Sequence, residues 1–304
     1  MVTATDRVNR PDGRALHARP RRRRRSPVFD APTPGGVVAR YLALIFMLVV
    51  SVGPMLWQLS TSLKGQAEDV YGATPRLLPE HPTLENYLEV MRQVPVLDFA
   101  ANSLLVAVMG VAGNVVFATL AGFALARLRF KGARLVLGLL MATLLLPGEA
   151  MIISQFQTVN SLGLTNTLLG VALPGLAGTV NILLMRNAFQ AIPQEMDDAA
   201  ILDGATAWQR LLHIGLPAVK GTMAIIAVMT FIGAWDDFLW PLLVLQDPGD
   251  LTLTVGLAYL DGHFAGNPRT IAAGLMISLI PILVLFVALQ RYFFRGVQEG
   301  GVKG

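Results

Sequence analysis

The sequence predicts an all-α membrane protein: six transmembrane helices with a structured cytoplasmic segment between spans four and five. Three observations lead there. Of its 304 residues 54% are hydrophobic and only 14% charged, against about 25% charged in an ordinary soluble domain. The apolar residues fall in six long blocks, each near the roughly 20 residues a helical span requires. The cations in the loops between blocks fall on alternate sides.

The chain opens with a tail. Residues 1–36 are rich in Arg, Pro and Gly without apolar periodicity, which predicts disorder. Residues 1–40 hold ten arginines against Asp6, Asp12 and Asp30, a local charge of +7, so the rest of the chain carries −3. The run Arg21–Arg25 lies too far upstream of the first apolar block for a compact export signal. It reads as a cytoplasmic anchor touching anionic lipid, not as a nucleic-acid site. Residues 37–304 form the membrane domain. The absence of cysteine excludes disulfides and thiolate metal sites, and no metal site is assigned.

The six spans are expected at Val38–Leu59, Ala101–Ala126, Leu135–Ile153, Thr167–Met185, Val219–Leu245 and Ile271–Leu289. Five contain internal Pro, which neighbouring helices can accommodate. The loop after span two carries Arg127, Arg129, Lys131 and Arg134 and no acid. The C-terminal tail carries Arg291, Arg295 and Lys303 against Glu299. Both are expected in the cytoplasm. The acid-rich stretch Ser60–Ala100 and the cation-free Gln246–Pro268 are expected outside. Both termini then lie inside, and Ile192–Lys220 is cytoplasmic.

That cytoplasmic segment predicts two short helices and a turn. Pro193 suits a first helical turn, and Glu195, Asp197 and Asp198 favour its positive end. Asp203-Gly204 supplies a stop. Thr206 and Gln209 form a capping-box pattern for the second helix, which Pro217 ends. An amphipathic connector lying on the membrane would need cations on its polar face. The acids of the first helix would be repelled by anionic headgroups, which favours a protein partner.

Several motifs then carry a resemblance. Asp198-Ala199-Ala200, Asp203-Gly204-Ala205, Ile214 and Leu216-Pro217 resemble the EAA loop of the inner-membrane permease subunits of binding-protein-dependent ABC importers. Asp198 stands where that family usually has Glu, keeping the carboxylate with one methylene less. Phe123-Ala124 through Phe130-Lys131-Gly132, Leu162 through Thr167, Leu173-Pro174, Trp235 through Leu242 and the ending Gly296–Gly304 are similar to the carbohydrate-uptake branch, in the manner of a maltose transporter's second permease. Asp236 stands where that branch usually has Asn.

The resemblance covers about residues 40–304, with the core importer fold at about 100–290. It implies a bacterial inner-membrane location and a coupling helix between spans four and five, formed by Asp198, Ala199, Ala200, Asp203, Gly204, Ala205, Ile214, Leu216 and Pro217. It implies two ATPase subunits that bind ATP and Mg²⁺, a second homologous permease in a heterodimer, and an extracytoplasmic solute-binding protein. No cofactor is expected on this chain. Its lysines occur only as Lys64-Gly65, Lys131-Gly132, Lys220-Gly221 and Lys303-Gly304, the reverse of the P-loop order. No zinc-protease or nucleophile-elbow motif is present, so no catalytic residue is assigned.

Acids within spans are costly and mark functional positions. Glu149, Asn181, Trp235, Asp236 and Asp237 are the candidates for a polar translocation path, where carboxylates and an indole suit sugar hydroxyls and ring faces. The structural alternative for each is a satisfied helix break or a membrane-edge position. Arg186 reads as a snorkelling residue. An ion-coupled secondary transporter, an importer of a non-sugar solute and an intramembrane enzyme are the competing classes.

Overall fold

The computed structural model describes residues 34–72, 76–263 and 267–301, with only the backbone for 259–263 and 289–301. The tail expected at residues 1–36 therefore lies outside the described residues as far as residue 33, as do residues 302–304 of the C-terminal motif. The described residues are helical, without strands.

Helix α1, Pro34–Ser62, is long and apolar enough to cross a membrane. The chain divides into two compact units at Gly53–Pro54. The first contains the N-terminal part of α1, whose apolar side chains from Tyr41 to Val50 are exposed. Everything below belongs to the second.

After α1, Glu85–Gln93 form α2 within the acid-rich stretch. Helix α3, Val96–Arg127, is the central span. Ala133–Thr143 (α4) and Gly148–Ser161 (α5) meet at 106°. Span three was expected as one helix through Pro147-Gly148. Instead Pro147 takes an extended conformation and acts as the N-cap of α5, since proline's missing N–H costs nothing at a helix start. Leu168–Ala172 (α6), continued by a 3₁₀ turn at Leu173–Gly175, leads at 46° into α7, Thr179–Gln190. The segment expected in the cytoplasm forms α8, Gln194–Leu202, and α9, Ala207–Arg210. A π turn at Leu211–Gly215 and α10, Leu216–Ala218, follow. A 75° bend then opens α11, Lys220–Asp236. Leu239–Val244 (α12), Leu253–His263 (α13) and Pro268–Gly301 (α14) complete the chain.

Among the described residues three helices are long and apolar enough to cross a membrane alone, and the count reaches six if each bent pair is one span.

Helix α3 packs against α7 and α11. Two cores result. One gathers Val90, Phe99, Val106, Trp240, Val244 and Leu253. The other gathers Ala118, Phe123, Met185, Phe189, Leu211 and Ile226. In the second, Phe123 and Phe189 meet edge to face, centroids 5.4 Å apart, a favoured aromatic arrangement.

The loops sort to two ends. At one, the Asn102 amide donates to the Leu251 carbonyl (3.1 Å), Asn166 accepts from the Asp247 N–H (3.2 Å), and the Asn267 amide donates to the Gln66 side chain (3.2 Å). At the other, Arg127 Nε donates to the Phe189 carbonyl (3.1 Å) and its Nη2 to the carbonyls of Phe189 and Ile192. A cation there answers the negative end of α7. The two expected outside stretches share one end, and the basic loop and α8 share the other.

Candidate functional site

Three regions hold the residues singled out from the sequence: a larger and a smaller cavity among the helices, and the loop at the α8 end.

The cavity, of ≈ 580 Å³, lies between α3, α5, α7, α11 and α12. Of the expected path residues, Glu149, Asn181 and Asp237 line it. Asn114, Gln155, Thr230 and Trp240 also line it and were not anticipated. Helix breaks bring them together: Pro147 starts α5 with Glu149 in its first turn, and Asp237 caps α11 in an extended conformation. Residues at breaks turn side chains inward that a continuous helix would aim elsewhere.

Asn114 organises the cavity wall. It is 2% exposed in the middle of α3. Its Oδ1 accepts from the Gly178 N–H (2.9 Å) and the Asn181 amide (2.8 Å). Its Nδ2 donates to the carbonyls of Gly175 (2.6 Å) and Gly110 (3.1 Å). Asn181 also donates to Thr230 Oγ1 (3.3 Å). Asn114 thus satisfies backbone groups freed at the α6–α7 break and joins α3 to α7, while Asn181 carries the link on to α11. An Asn inside an apolar block was the available signal.

Trp235 and Asp236 lie elsewhere. They line a smaller cavity of ≈ 240 Å³ with Gln58 and Ser278. Trp235 is buried, stacks on Phe231 at 5.7 Å and donates its indole N–H to the Ser278 carbonyl (3.0 Å). Three consecutive residues at a helix end diverge because successive positions turn by about 100°. The aromatic ring at the larger cavity is Trp240, held by a bond from its indole N–H to the Val171 carbonyl (3.1 Å).

The loop follows the expected local chemistry. Gly204 has φ +81°, a conformation that suits glycine, and the Ala205 N–H donates to the Ala200 carbonyl (2.9 Å). Thr206 and Gln209 form a reciprocal capping box: the Thr206 N–H donates to Gln209 Oε1 (2.8 Å), and Thr206 Oγ1 accepts from the Gln209 N–H (3.2 Å). Asp198, Ala199, Asp203, Gly204 and Pro217 are exposed; Ala200, Ala205, Ile214 and Leu216 are half-buried. A notch of ≈ 330 Å³ runs between Ala200, Gly204, Ala205, Gln209 and Ile214. Around it Met196, Ile201, Leu202 and Trp208 are bare, Leu202 at 88% exposure.

At the opposite end the Glu68 carboxylate accepts the N–H groups of Gly65 (3.1 Å), Glu80 (3.0 Å) and His81 (3.1 Å). Desolvation raises its pKa, but these backbone bonds and the charges of Lys64 and His81 outweigh it and hold it below its ordinary value.

A helix bundle broken around a cavity lined by polar side chains, with an ordered loop at one end, is the architecture of a transport subunit. The family model described as binding-protein-dependent transport system inner membrane component matches residues 97–299. The arabinooligosaccharide transport permease AraQ of Halalkalibacterium halodurans is 31% identical, over 86% of this chain and 95% of that protein. The sulfoquinovosyl glycerol transport permease SmoH of Agrobacterium fabrum is 32% identical, over 88% of this chain and 95% of its own length. A chain in the crystal structure of a bacterial ABC transporter that imports the acidic polysaccharide alginate has the same fold, with a TM-score of 0.76 at 22% identity, covering 88% of this chain and 100% of its own. The present chain belongs to the family of binding-protein-dependent transport system inner membrane components.

Proposed function

We propose that this chain is one permease subunit of an ATP-driven ABC importer and forms half of the translocation path for a sugar or oligosaccharide. The carrying observation is the continuity between loop and cavity. The exposed segment from α8 to α10 runs through one bend into α11, and α11 ends at Asp237 in the cavity wall. Movement of the loop therefore has a covalent and packed route to the path.

Glu149, Gln155, Asn181 and Asp237 offer acceptors and amides to hydroxyl groups, and Trp240 offers a ring edge. The names of the permeases similar to this chain, for arabinooligosaccharides and sulfoquinovosyl glycerol, favour a carbohydrate. Asp198, Ala200 and the exposed apolar rim dock on an ATPase subunit, which holds ATP and Mg²⁺. A second permease completes the path, and a solute-binding protein delivers the sugar at the α2 end. That end is extracytoplasmic and the α8 end cytoplasmic, because the cation-rich loop lies at the latter. Both termini are cytoplasmic.

The test is Gly204→Pro in the full complex. Proline holds φ near −65°, whereas Gly204 needs +81° and donates its N–H to the Ile201 carbonyl (3.0 Å). ATP-driven uptake and partner-stimulated hydrolysis should both be abolished while membrane insertion persists. Normal uptake by this variant, or uptake driven by an ion gradient without ATPase subunits, contradicts the reading.

A further inference from the structure

Four acids crowd the start of the docking loop, yet only one turns inward. Asp197 is 8% exposed and is the single buried residue of α8; Glu195, Asp198 and Asp203 are all exposed. Its partner is Arg210, 9% exposed at the end of α9, with Nη1 3.2 Å from Oδ2. The bond spans the Gly204 turn and joins positions thirteen apart in sequence. On the far side of Arg210 the chain locks into the body: Leu211 and Gly215 are buried, and a Cβ on Gly215 would sit 3.0 Å from the Phe189 ring.

The remaining surface of α8 is bare or half-covered. Its side chains therefore give it no other buried hold on the molecule. Its backbone is tied at the ends, through the Ala205–Ala200 hydrogen bond and through Arg127, which grips the carbonyls of Phe189 and Ile192. Those ties fix where α8 begins and ends. They leave its tilt relative to α9 and α11 to the Asp197–Arg210 pair. A buried pair of this kind is a strong geometric constraint, because separating the charges leaves each uncompensated.

We infer that Asp197 and Arg210 are positioning residues for energy coupling: their ion pair welds the docking helix to the segment leading into α11, so that a push on α8 reaches the cavity as a rotation of α11 and is not absorbed at the Gly204 turn. The inference rests on the importer reading above. The pair does not touch the sugar, and the exposed face of α8 does the docking; of the two partners only Arg210 also borders the notch, while Asp197 lies outside it. Loss of the pair leaves the motor bound and turning over while its stroke is dissipated.

The experiment uses the complete complex in lipid vesicles, with its motor subunits and solute-binding protein, and reads sugar taken up per ATP hydrolysed. Asp197→Asn should lower that ratio about tenfold or more, with hydrolysis within about twofold of the unaltered complex. The exchanged pair, Asp197→Arg with Arg210→Asp, should recover most of the ratio, since charge complementarity returns. An unchanged ratio in Asp197→Asn overturns the inference. So does joint loss of assembly and hydrolysis with no recovery in the exchanged pair, which would make the bond a folding contact only. Absence of ATP-driven uptake by the unaltered complex overturns the importer reading, and this inference with it.

Discussion

Asn114 shows how much one polar side chain can organise within an apolar helix. It supplies both acceptor and donor to the break before α7, and Gly175, Gly178 and Asn181 all depend on it. Hydrogen bonds between membrane helices are worth about 0.6 kcal/mol on average. Here Gly178 and Asn181 are half-buried at the cavity wall, and each hydrogen bond lost there costs about 0.5–1.5 kcal/mol. Asn114→Leu should therefore destabilise the chain by about 1–3 kcal/mol, read as a lower melting temperature in detergent. Asn114 was not anticipated from sequence, because no motif surrounds it and, apart from Gly110 one turn back in its own helix, its partners are at least 61 positions away. Asp197 poses the same difficulty. Beside Asp198 it looks equivalent, and only Arg210, brought near by the turn, decides which acid is buried. By contrast the Thr206–Gln209 box and the Gly204 turn were legible because their partners are three to five residues apart.

Among the helices, the contact of α3 with α7 decides the cavity's shape, and glycines set its closeness. A Cβ on Gly122 would lie 2.9 Å from the Arg186 nitrogen and from Met185 Cβ, and one on Gly113 would lie 2.7 Å from Leu176. At Gly110 the nearest atom would be 3.6 Å away, on Thr230. Small residues let membrane helices approach closely, and overpacking costs about 1–3 kcal/mol. Gly122→Val should lose about that much and reduce uptake, whereas Gly110→Ala should melt near the parent temperature; equal melting of the two variants in a thermal scan contradicts this packing account. The apolar blocks gave the positions of the spans but not their breaks. Pro147-Gly148 reads equally as a kink or an end, and the 106° turn depends on neighbours that sequence spacing does not reveal. The two helices in the stretches expected outside, α2 and α13, were also missed. Each is short, and α2 carries a mixed polar surface that resembles a loop.

The molecule as a whole is organised by its two ends. Charge sorting in the sequence placed the basic loop with α8 and the two acid-rich stretches together, and the hydrogen bonds group them in the same way. The separation of the two cavities was not legible, since Trp235, Asp236 and Asp237 are consecutive and part only at the end of α11. What remains is whether the loop reaches a motor in the assembled importer. The natural chain has no cysteine, so Ala200→Cys places a single thiol in the docking notch. In membranes carrying the full complex, this thiol should react with an impermeant maleimide only from the cytoplasmic side. With a short bifunctional reagent it should cross-link to the ATPase subunit, and the yield should change with ATP. Labelling from the outer side, or no cross-link in a complex that still imports, contradicts the account.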